Sequence, residues 1–479
     1  QLKTVQFIIV ADAETHTGSE ALRYETLIAN PTDADVAAYR ERAAQVAPEM
    51  LATIIYTSGT TGEPKGVMLT QNNLASNSED SLSLADYTPA DTALSFLPLA
   101  HVYERTLDYM FISKGVSIAY LETPDKAAQA LLEVKPTLAG AVPRVFEKLY
   151  AAVIAQGRQC TGAKRKIFDW AIAIAPKFTE WRVHEIDPGF LARIEWRIAD
   201  KLVYSKIREG LGGRIREFVS GGAPLSRELA EFFWAVGVPI LQGYGLTETS
   251  PVITVNNHQM NRLGTVGPPI PHVAVKFADD EEILTRGPHV MLGYYKNPAD
   301  TAAVLSADGW FSTGDIGHQD KDGYLIITDR KKDLFKTAGG KFVAPQSIEN
   351  ALKMSQYISS AAVVGDRRKF ITALIVPDIA AVTAVAAERG ITFQSQVDFA
   401  RSPFVRELIG GEVEKVNSHL AQYETIKRFA ILDTDFSFEN GELTYTMKLK
   451  RRVIEERNRE AIAQLYADVE EPRPAGASH

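Results

Sequence analysis

Cysteine is almost absent from this chain: Cys160 is the only one in 479 residues. A single thiol cannot close an internal disulfide, so a reducing interior compartment is the expected home. Long apolar runs are missing too, and none approaches the ~18 residues that a membrane-spanning helix needs. The opening stretch QLKTVQFIIVADAE lacks the basic-then-apolar layout of a secretory leader. There is no excess of positive charge either. The formal net charge is −8, which argues against a general nucleic-acid binder. These absences leave a cytoplasmic protein, with peripheral contact at a membrane left open. What is present is an ordinary globular composition, 45% hydrophobic and 23% charged, over a length that suits roughly three average domains.

The chain alternates short apolar runs with helix-like segments. LATIIYTS (51–58) reads as a buried strand that ends in a glycine loop. PTLAGAVP (136–143) reads as another strand, with Pro143 in the first turn of a helix whose Val145, Leu149 and Val153 share one face. RIREFVSGGAPL (214–225) predicts a strand leaving into a glycine turn. A helix between Ser226 and Gly237 follows, then the strand VPILQGYG. This rhythm predicts an α/β fold, its large domain built on mostly parallel sheets flanked by helices. Ligands on such sheets sit at the carboxyl ends of the strands, where the glycine loops fall.

Near residue 323 the pattern changes. YLIIT predicts a strand and DRKKD a charged, exposed joint. Beyond it lie a helix (PQSIENALK), two strands (SAAVVGD and TALIVPD) and a long helical stretch to residue 428 or so. The expected organisation is a large domain over 1–330, a hinge at 331–332 and a small, mobile α+β C-terminal lid over 333–479. The tail EEPRPAGASH is expected to be loose.

The stretch YTSGTTGEPKG (56–66) raises the question of a phosphate ligand. A P-loop needs G-x-x-x-x-G-K-[ST] at the start of a helix. Here Lys65 follows Pro64 and precedes Gly66, so that reading fails. The chemistry still suits an anion. Successive glycine and threonine amides can form a concave nest, the hydroxyls of Thr57, Ser58, Thr60 and Thr61 add donors, and Lys65 adds charge. By itself the stretch also admits a reading as a ligand-free glycine turn.

The whole stretch closely resembles the signature loop of the AMP-forming acyl-adenylate ligases, which comprise acyl-CoA synthetases, luciferases and adenylation domains. Further matches follow in that superfamily's order: SGGAPL (220–225), QGYGLTET (242–249), DGWFSTGDIG (308–317), DRKKDLFKTAGGKFVAPQSIE (329–349) and LTYTMKLKRR (443–452). The segments FKTAGGKFVAPQSIE and LPLAHVYER (97–105) make the chain most similar to the bacterial long-chain fatty acyl-CoA synthetases. The resemblance implies a two-step reaction. A carboxylate attacks the α-phosphorus of ATP, giving an acyl adenylate and pyrophosphate, and the thiol of CoA then displaces AMP. Mg²⁺ is the implied metal and a long-chain fatty acid the implied substrate.

The resemblance also implies roles. Thr57, Ser58, Gly59, Thr60, Thr61, Gly62 and Lys65 would embrace the β- and γ-phosphates. Gly221, Gly222 and Ala223 would leave room for adenine, with Gln242, Gly243 and Tyr244 bordering it and Tyr244 stacking on its other face. Thr247 would bond the phosphates and Glu248 would hold Mg²⁺; read alone, Glu248 is a helix-start carboxylate near a dipole. Asp315 would accept from the ribose hydroxyls, supported by Arg330, and Lys332 would be the pivot of the small domain. Lys448 would bridge the attacking carboxylate and the α-phosphate, then withdraw before thiolysis. Lys336, like Lys341, could approach nucleotide or CoA phosphates, and Gly339 and Gly340 would let the pantetheine arm pass. His101 would orient near the carboxylate and thiol entry, although a lone histidine is more often structural. The apolar face carrying Phe232, Phe233 and Trp234 is a candidate tunnel wall, but such a stripe is more often plain core.

Two features depart from the pattern. Met447 stands where glycine more often precedes the late lysine, and only 55 residues precede the glycine loop, fewer than such enzymes carry. A sheet deprived of early strands would expose an apolar edge. Two rival readings stay open: an adenylating ligase that loads a carrier-protein thiol, and a non-catalytic nucleotide- or acyl-binding remnant.

Overall fold

The computed structural model describes residues 8–10, 21–23, 28, 30–57, 64–121, 123, 126–331, 333–437, 439–443 and 449–467. The chain forms two compact units, Gln1–Met50 and Leu51–His479. In the first, strands β1 (Ile8–Val10) and β2 (Ala21–Arg23) pair in parallel. Helix α1 (Asp33–Ala44) begins at a capping box, where Thr32 accepts from the Asp35 amide and the Asp35 carboxylate accepts from Thr32. None of its residues is buried.

The second unit opens with β3 (Leu51–Thr57) and β4 (Lys65–Thr70), an antiparallel pair flanking the glycine loop, followed by α2 (Gln71–Leu82). The expected buried strand is here, but only Ile55 of β3 is buried. β3 is the outer strand of its sheet, and apolar content alone does not tell an edge strand from an interior one. Leu51 and Tyr56 are exposed along it.

Next come β5 (Thr92–Ser95), α3 (Val102–Ser113), β6 (Ser117–Tyr120), α4 (Ala127–Val134), β7 (Leu138–Ala141), α5 (Pro143–Arg158), α6 (Gly162–Ile174), α7 (Thr179–His184), α8 (Phe190–Ala199), α9 (Ser205–Glu209), β8 (Glu217–Ser220), α10 (Arg227–Ala235), β9 (Ile240–Gly245) and β10 (Val252–Val255). Their six strands make one sheet in the order β10-β9-β8-β7-β5-β6, parallel except for β10 against β9. All four residues of β7 are buried, as befits a central strand with helices on both faces. Phe146 of α5 packs edge-on against Phe218 and Phe233, ring centres 5.4 and 5.9 Å away, and Val145, Leu149 and Val153 line the same core. Ser226 caps α10, accepting from the Leu229 amide, and Gly237 ends it at φ 84°. Phe232, Phe233 and Trp234 are core residues, with Tyr150 edge-on to Phe232 at 4.8 Å.

Strands β11 (Ala274–Phe277), β12 (Glu282–Arg286), β14 (Phe311–Gln319) and β15 (Leu325–Arg330) form an antiparallel sheet, while β13 (Gly293–Tyr294) joins β4 and precedes α11 (Pro298–Val304). Parallel pairing is thus concentrated in the six-stranded sheet. Past β15, the hairpin β16 (Phe335–Lys336) and β17 (Phe342–Val343) leads into α12 (Pro345–Lys353), then β18 (Ile358–Val364) and β19 (Ile371–Pro377). The long helix expected to follow is instead α13 (Ile379–Glu388), α14 (Gln396–Arg401) and α15 (Pro403–Asn417), punctuated by Gly390 at φ 71° and by Pro403, and then the strand β20 (Ile426–Ile431). Lys427 and Arg428 interrupt the apolar alternation of IKRFAI, which hides that strand in the sequence. β20 pairs parallel to β19, whose seven residues are all buried. Helices α16 (Arg451–Arg457) and α17 (Arg459–Tyr466) follow, and the tail after 467 lies outside the described residues. The joint at DRKKD is not exposed throughout, because Asp329 is buried.

Candidate active site

Three of the anticipated residues meet where the parallel sheet faces the antiparallel one. Asp315 on β14 lies opposite Arg330 on β15 in register, and Arg330 Nε stands 3.3 Å from Asp315 Oδ1. The Tyr244 hydroxyl, from β9, donates to Asp315 Oδ2 at 2.6 Å. Burial, and then the negative Asp315, push the phenol far above its usual range, so it stays a donor. A carboxylate offers about four lone-pair positions. The phenol and the guanidinium together hold the Asp315 carboxylate in place.

Glu248 sits in a short 3₁₀ turn, Thr247–Thr249, at the end of β9. Thr247 is buried, whereas Glu248 is partly exposed. Its Oε1 accepts from the Tyr294 hydroxyl at 2.9 Å, and its other oxygen accepts no hydrogen bond among the described residues. Burial and the adjacent Glu248 hold Tyr294 protonated. Lys65 lies over the Tyr294 ring, 5.0 Å from its centre, and pairs with Asp300 at 2.8 Å. The β3–β4 pairing sets Thr57 opposite Lys65, so both ends of the glycine loop are fixed beside Tyr294's partners. The intervening Ser58, Gly59, Thr60, Thr61 and Gly62 lie outside the described residues.

No cluster of three or more metal-binding side chains occurs among the described residues. A lone carboxylate with a spare oxygen nevertheless suits Mg²⁺, which usually takes one or two carboxylates and completes its shell with water and substrate phosphates.

The glycine turn is shaped by what lies behind it. A Cβ at Gly221 would come 3.1 Å from the Tyr103 ring, and Gly222 has φ 79°. Ala223 is partly exposed beside them. The Tyr103 hydroxyl donates to the Val219 carbonyl at 2.9 Å, so the ring is fixed under the turn. Gln242 and Gly243 belong to β9, and the Gln242 carbonyl accepts from the Asn256 amide at 3.0 Å. His101 caps α3, its Nδ1 accepting from the Tyr103 amide at 3.2 Å. A neutral ring held this way carries its proton on Nε2.

On the C-terminal side, Lys336 is exposed and lies 5.3 Å from the centre of the Phe342 ring. Gly339 and Gly340 have only ordinary or more distant contacts around a would-be Cβ, which leaves their backbone approachable. Lys332, Met447 and Lys448 lie outside the described residues. Leu443 and Leu449 flank residues 444–448. Leu443 bridges to Leu449, and Arg451 forms a two-pronged pair with Glu349 at 2.6 and 2.8 Å. Contacts tie this part to α5, where Lys353 stands 3.5 Å from Glu147 and Arg144 donates to the Ser359 carbonyl.

Several of these partners were not foreseen. Glu349 is the last residue of one quoted motif and Arg451 the last but one of another, which was a usable signal. Glu104 and Asp108 stand one helical turn apart on α3 and are both buried. Glu104 Oε1 accepts from the Phe96 amide at 3.0 Å, while Oε2 has no hydrogen-bond partner among the described residues. Burial, with Asp108 adding to it, raises the Glu104 carboxyl to about 7. Tyr294 carried no signal at all.

The AMP-binding enzyme family matches residues 2–295 and its C-terminal domain matches residues 332–470, so the chain belongs to the AMP-binding enzyme family. Long-chain-fatty-acid–CoA ligase FadD15 of Mycobacterium tuberculosis is 40% identical over 421 residues, covering 87% of this chain and 69% of that protein. Human long-chain-fatty-acid–CoA ligase 1 is 33% identical over 452 residues, covering 90% and 63%. Among solved structures, ATP-bound MatB from Rhodopseudomonas palustris superposes with a TM-score of 0.61 at 25% identity, covering 87% of this chain and 69% of that one. The adenylation domain of a carboxylate reductase from Mycobacterium chelonae reaches 0.69 at 24% identity, covering 91% and 67%, which is a likeness of fold.

Proposed function

We propose that this protein activates long-chain fatty acids, converting them with ATP to acyl adenylates and then with CoA to acyl-CoA, releasing pyrophosphate and AMP. One observation carries the reading: Asp315 is fixed between Tyr244 and Arg330 while Glu248 keeps an oxygen to offer, in a chain 40% identical to a long-chain-fatty-acid–CoA ligase.

Asp315 accepts from the ribose hydroxyls. Adenine lies against Gly221, Gly222 and Ala223, bordered by Gln242, Gly243 and Tyr244. Lys65, Thr57 and the loop Ser58–Gly62 hold the β- and γ-phosphates, with Thr247 donating from the opposite side. Glu248 would hold Mg²⁺, which would supply positive charge against the phosphates. Lys448 brings a further cation to the attacking carboxylate and the α-phosphate. The small domain, 333–479, then swings at the 331–332 hinge and withdraws Lys448, and the pantetheine arm enters past Gly339 and Gly340 while Lys336 meets phosphate. His101, with its proton on Nε2, orients the reacting carbonyl. Peripheral contact with a membrane belongs to the same proposal, since each buried CH₂ of a long acyl chain favours an apolar phase by ~0.8 kcal/mol.

Pyrophosphate release with ATP, Mg²⁺ and oleate tests the first half-reaction; no release sinks it and leaves the binding remnant. CoA-dependent AMP release across carboxylates from acetate to palmitate tests the substrate, and a maximum at acetate or at aromatic acids overturns it. Faster transfer to a phosphopantetheinylated carrier than to CoA would favour the carrier-loading enzyme. Lys448→Ala should abolish acyl-adenylate formation by roughly 10²–10³-fold yet spare thiolysis of supplied acyl adenylate. Equal loss in both half-reactions would show that the assignment is wrong.

A further inference from the structure

Helix α8 is apolar on two opposite faces. Its inner face is fully used: Trp196 donates to the Ala235 carbonyl at 3.0 Å and packs edge-on to Trp181, and Ala199 is buried. The helix continues through a π turn, Asp200–Tyr204, in which Val203 and Tyr204 extend that inner face. The outer face carries a second set. Phe190 and Leu191 are 76% and 79% exposed, and Ile194, Ile198 and Leu202 are also exposed. Residues four apart drift by roughly 40° per step around an α-helix, whereas the wider π turn takes up that drift. Ile194, Ile198 and Leu202 therefore stay on one side of the helix. An exposed apolar strip of this kind marks an interaction surface.

Beside the row, at the preceding positions, runs a parallel basic row of Arg193, Arg197 and Lys201, all exposed. The acidic residues nearby are already matched: Asp187 pairs with Arg193 at 2.7 Å, Glu195 with Lys177 at 3.6 Å and Asp200 with Arg208 at 2.6 Å. Arg197 and Lys201 form no ion pair among the described residues. The strip thus offers surplus positive charge on a chain whose net charge is −8. A basic row flanking an aromatic and aliphatic row on one helix face is the pattern of a helix lying in a bilayer interface.

We propose that the outer face of α8 and its π turn is a membrane-docking surface for an anionic phospholipid leaflet. Phe190, Leu191, Ile194, Ile198 and Leu202 enter the acyl region, and Arg197 and Lys201 sit at headgroup level. The surface rests on the membrane contact in the proposed function and assigns it to named residues; it is tested without ATP, CoA or fatty acid, so that its failure leaves the ligase chemistry standing. The full chain is sedimented with vesicles of phosphatidylcholine mixed with phosphatidylglycerol, and with pure phosphatidylcholine. Binding should favour the mixed vesicles and weaken as salt rises. Arg197→Glu with Lys201→Glu should weaken it roughly 10- to 100-fold at low salt, and Ile194→Ser, Ile198→Ser and Leu202→Ser together should abolish it. Circular dichroism melting checks that both variants fold; if the serine variant does not, the charge reversal alone decides. Absence of vesicle binding by the unaltered chain, or equal binding by a folded variant, overturns the proposal. So does a dimer of the unaltered chain in ultracentrifugation that the variants convert to monomer, which would give the strip to a second copy.

Discussion

Asp315 and Glu248, the two carboxylates assigned to the proposed nucleotide site, sit in contrasting company. Asp315 is buried, facing a guanidinium across a strand pair and a phenol from a second sheet. Glu248 is partly open, touched by one phenol, with no cation paired to it among the described residues. Asp315 is pre-arranged for a neutral partner that brings hydroxyls, and its geometry is settled before ligand arrives. Glu248 is left short of positive charge, which suits a partner that brings its own. The neighbouring lysine, Lys65, is turned instead to Asp300. A site for two repelling anions needs both kinds of carboxylate: one that organises and one that recruits.

That contrast can be broken at Glu248 first. Glu248→Gln should lower acyl-adenylate formation by roughly 10²–10³-fold and blunt its response to Mg²⁺, while the melting temperature barely moves. If activity survives with unchanged Mg²⁺ dependence, the recruiting role belongs elsewhere.

A third carboxylate, Glu104, serves as a contrast to both, being buried with no cation. Its folded value of about 7 lies above the ordinary 4.5. The folded chain therefore keeps a proton that the unfolded chain gives up between those values. Its penalty is absent below about 4.5 and grows as pH rises through 7, reaching up to about 3 kcal/mol. Urea unfolding at pH 5 and pH 8 should show this loss in the natural chain, and Glu104→Gln should flatten it while keeping an acceptor for the Phe96 amide. An unchanged slope would mean that Glu104 ionises normally.

Asp315→Asn should cost about 1–3 kcal/mol in urea unfolding, because Arg330 loses its counter-charge, and should raise the KM for ATP more than it lowers kcat. The smallest effect is expected from Tyr294→Phe, about 0.5–1.5 kcal/mol, with a few-fold loss of turnover. A large loss there would move Tyr294 into the reacting centre.

Asp315, Tyr244, Arg330 and Glu248 were legible because each sits in a short motif whose spelling points to nucleotide chemistry. Their mutual contacts were not. Tyr294 reaches Glu248 across 46 positions and Arg451 reaches Glu349 across 102, and no local pattern records pairings at such range. The α/β rhythm, the Ser226 cap and the Pro143 helix start were readable because capping and turn chemistry act within a few residues. The open face of β3 and the strand β20 were not, since burial depends on neighbours contributed from elsewhere in the chain. The outer strip of α8 was missed for a related reason: a helix apolar on both faces looks, by periodicity, like one that is merely buried.

The ring of Tyr103 beneath Gly221 has a consequence for anyone re-tooling this enzyme. It ties the glycine turn to the strands behind it, because the same side chain meets Gly221, reaches towards Gly140 and bonds the end of β8. Enlarging position 221 alone would jam against aromatic carbon. Paired with a slimmer residue at 103, the same change becomes a way to reshape the cavity, so these two positions should be varied as a unit.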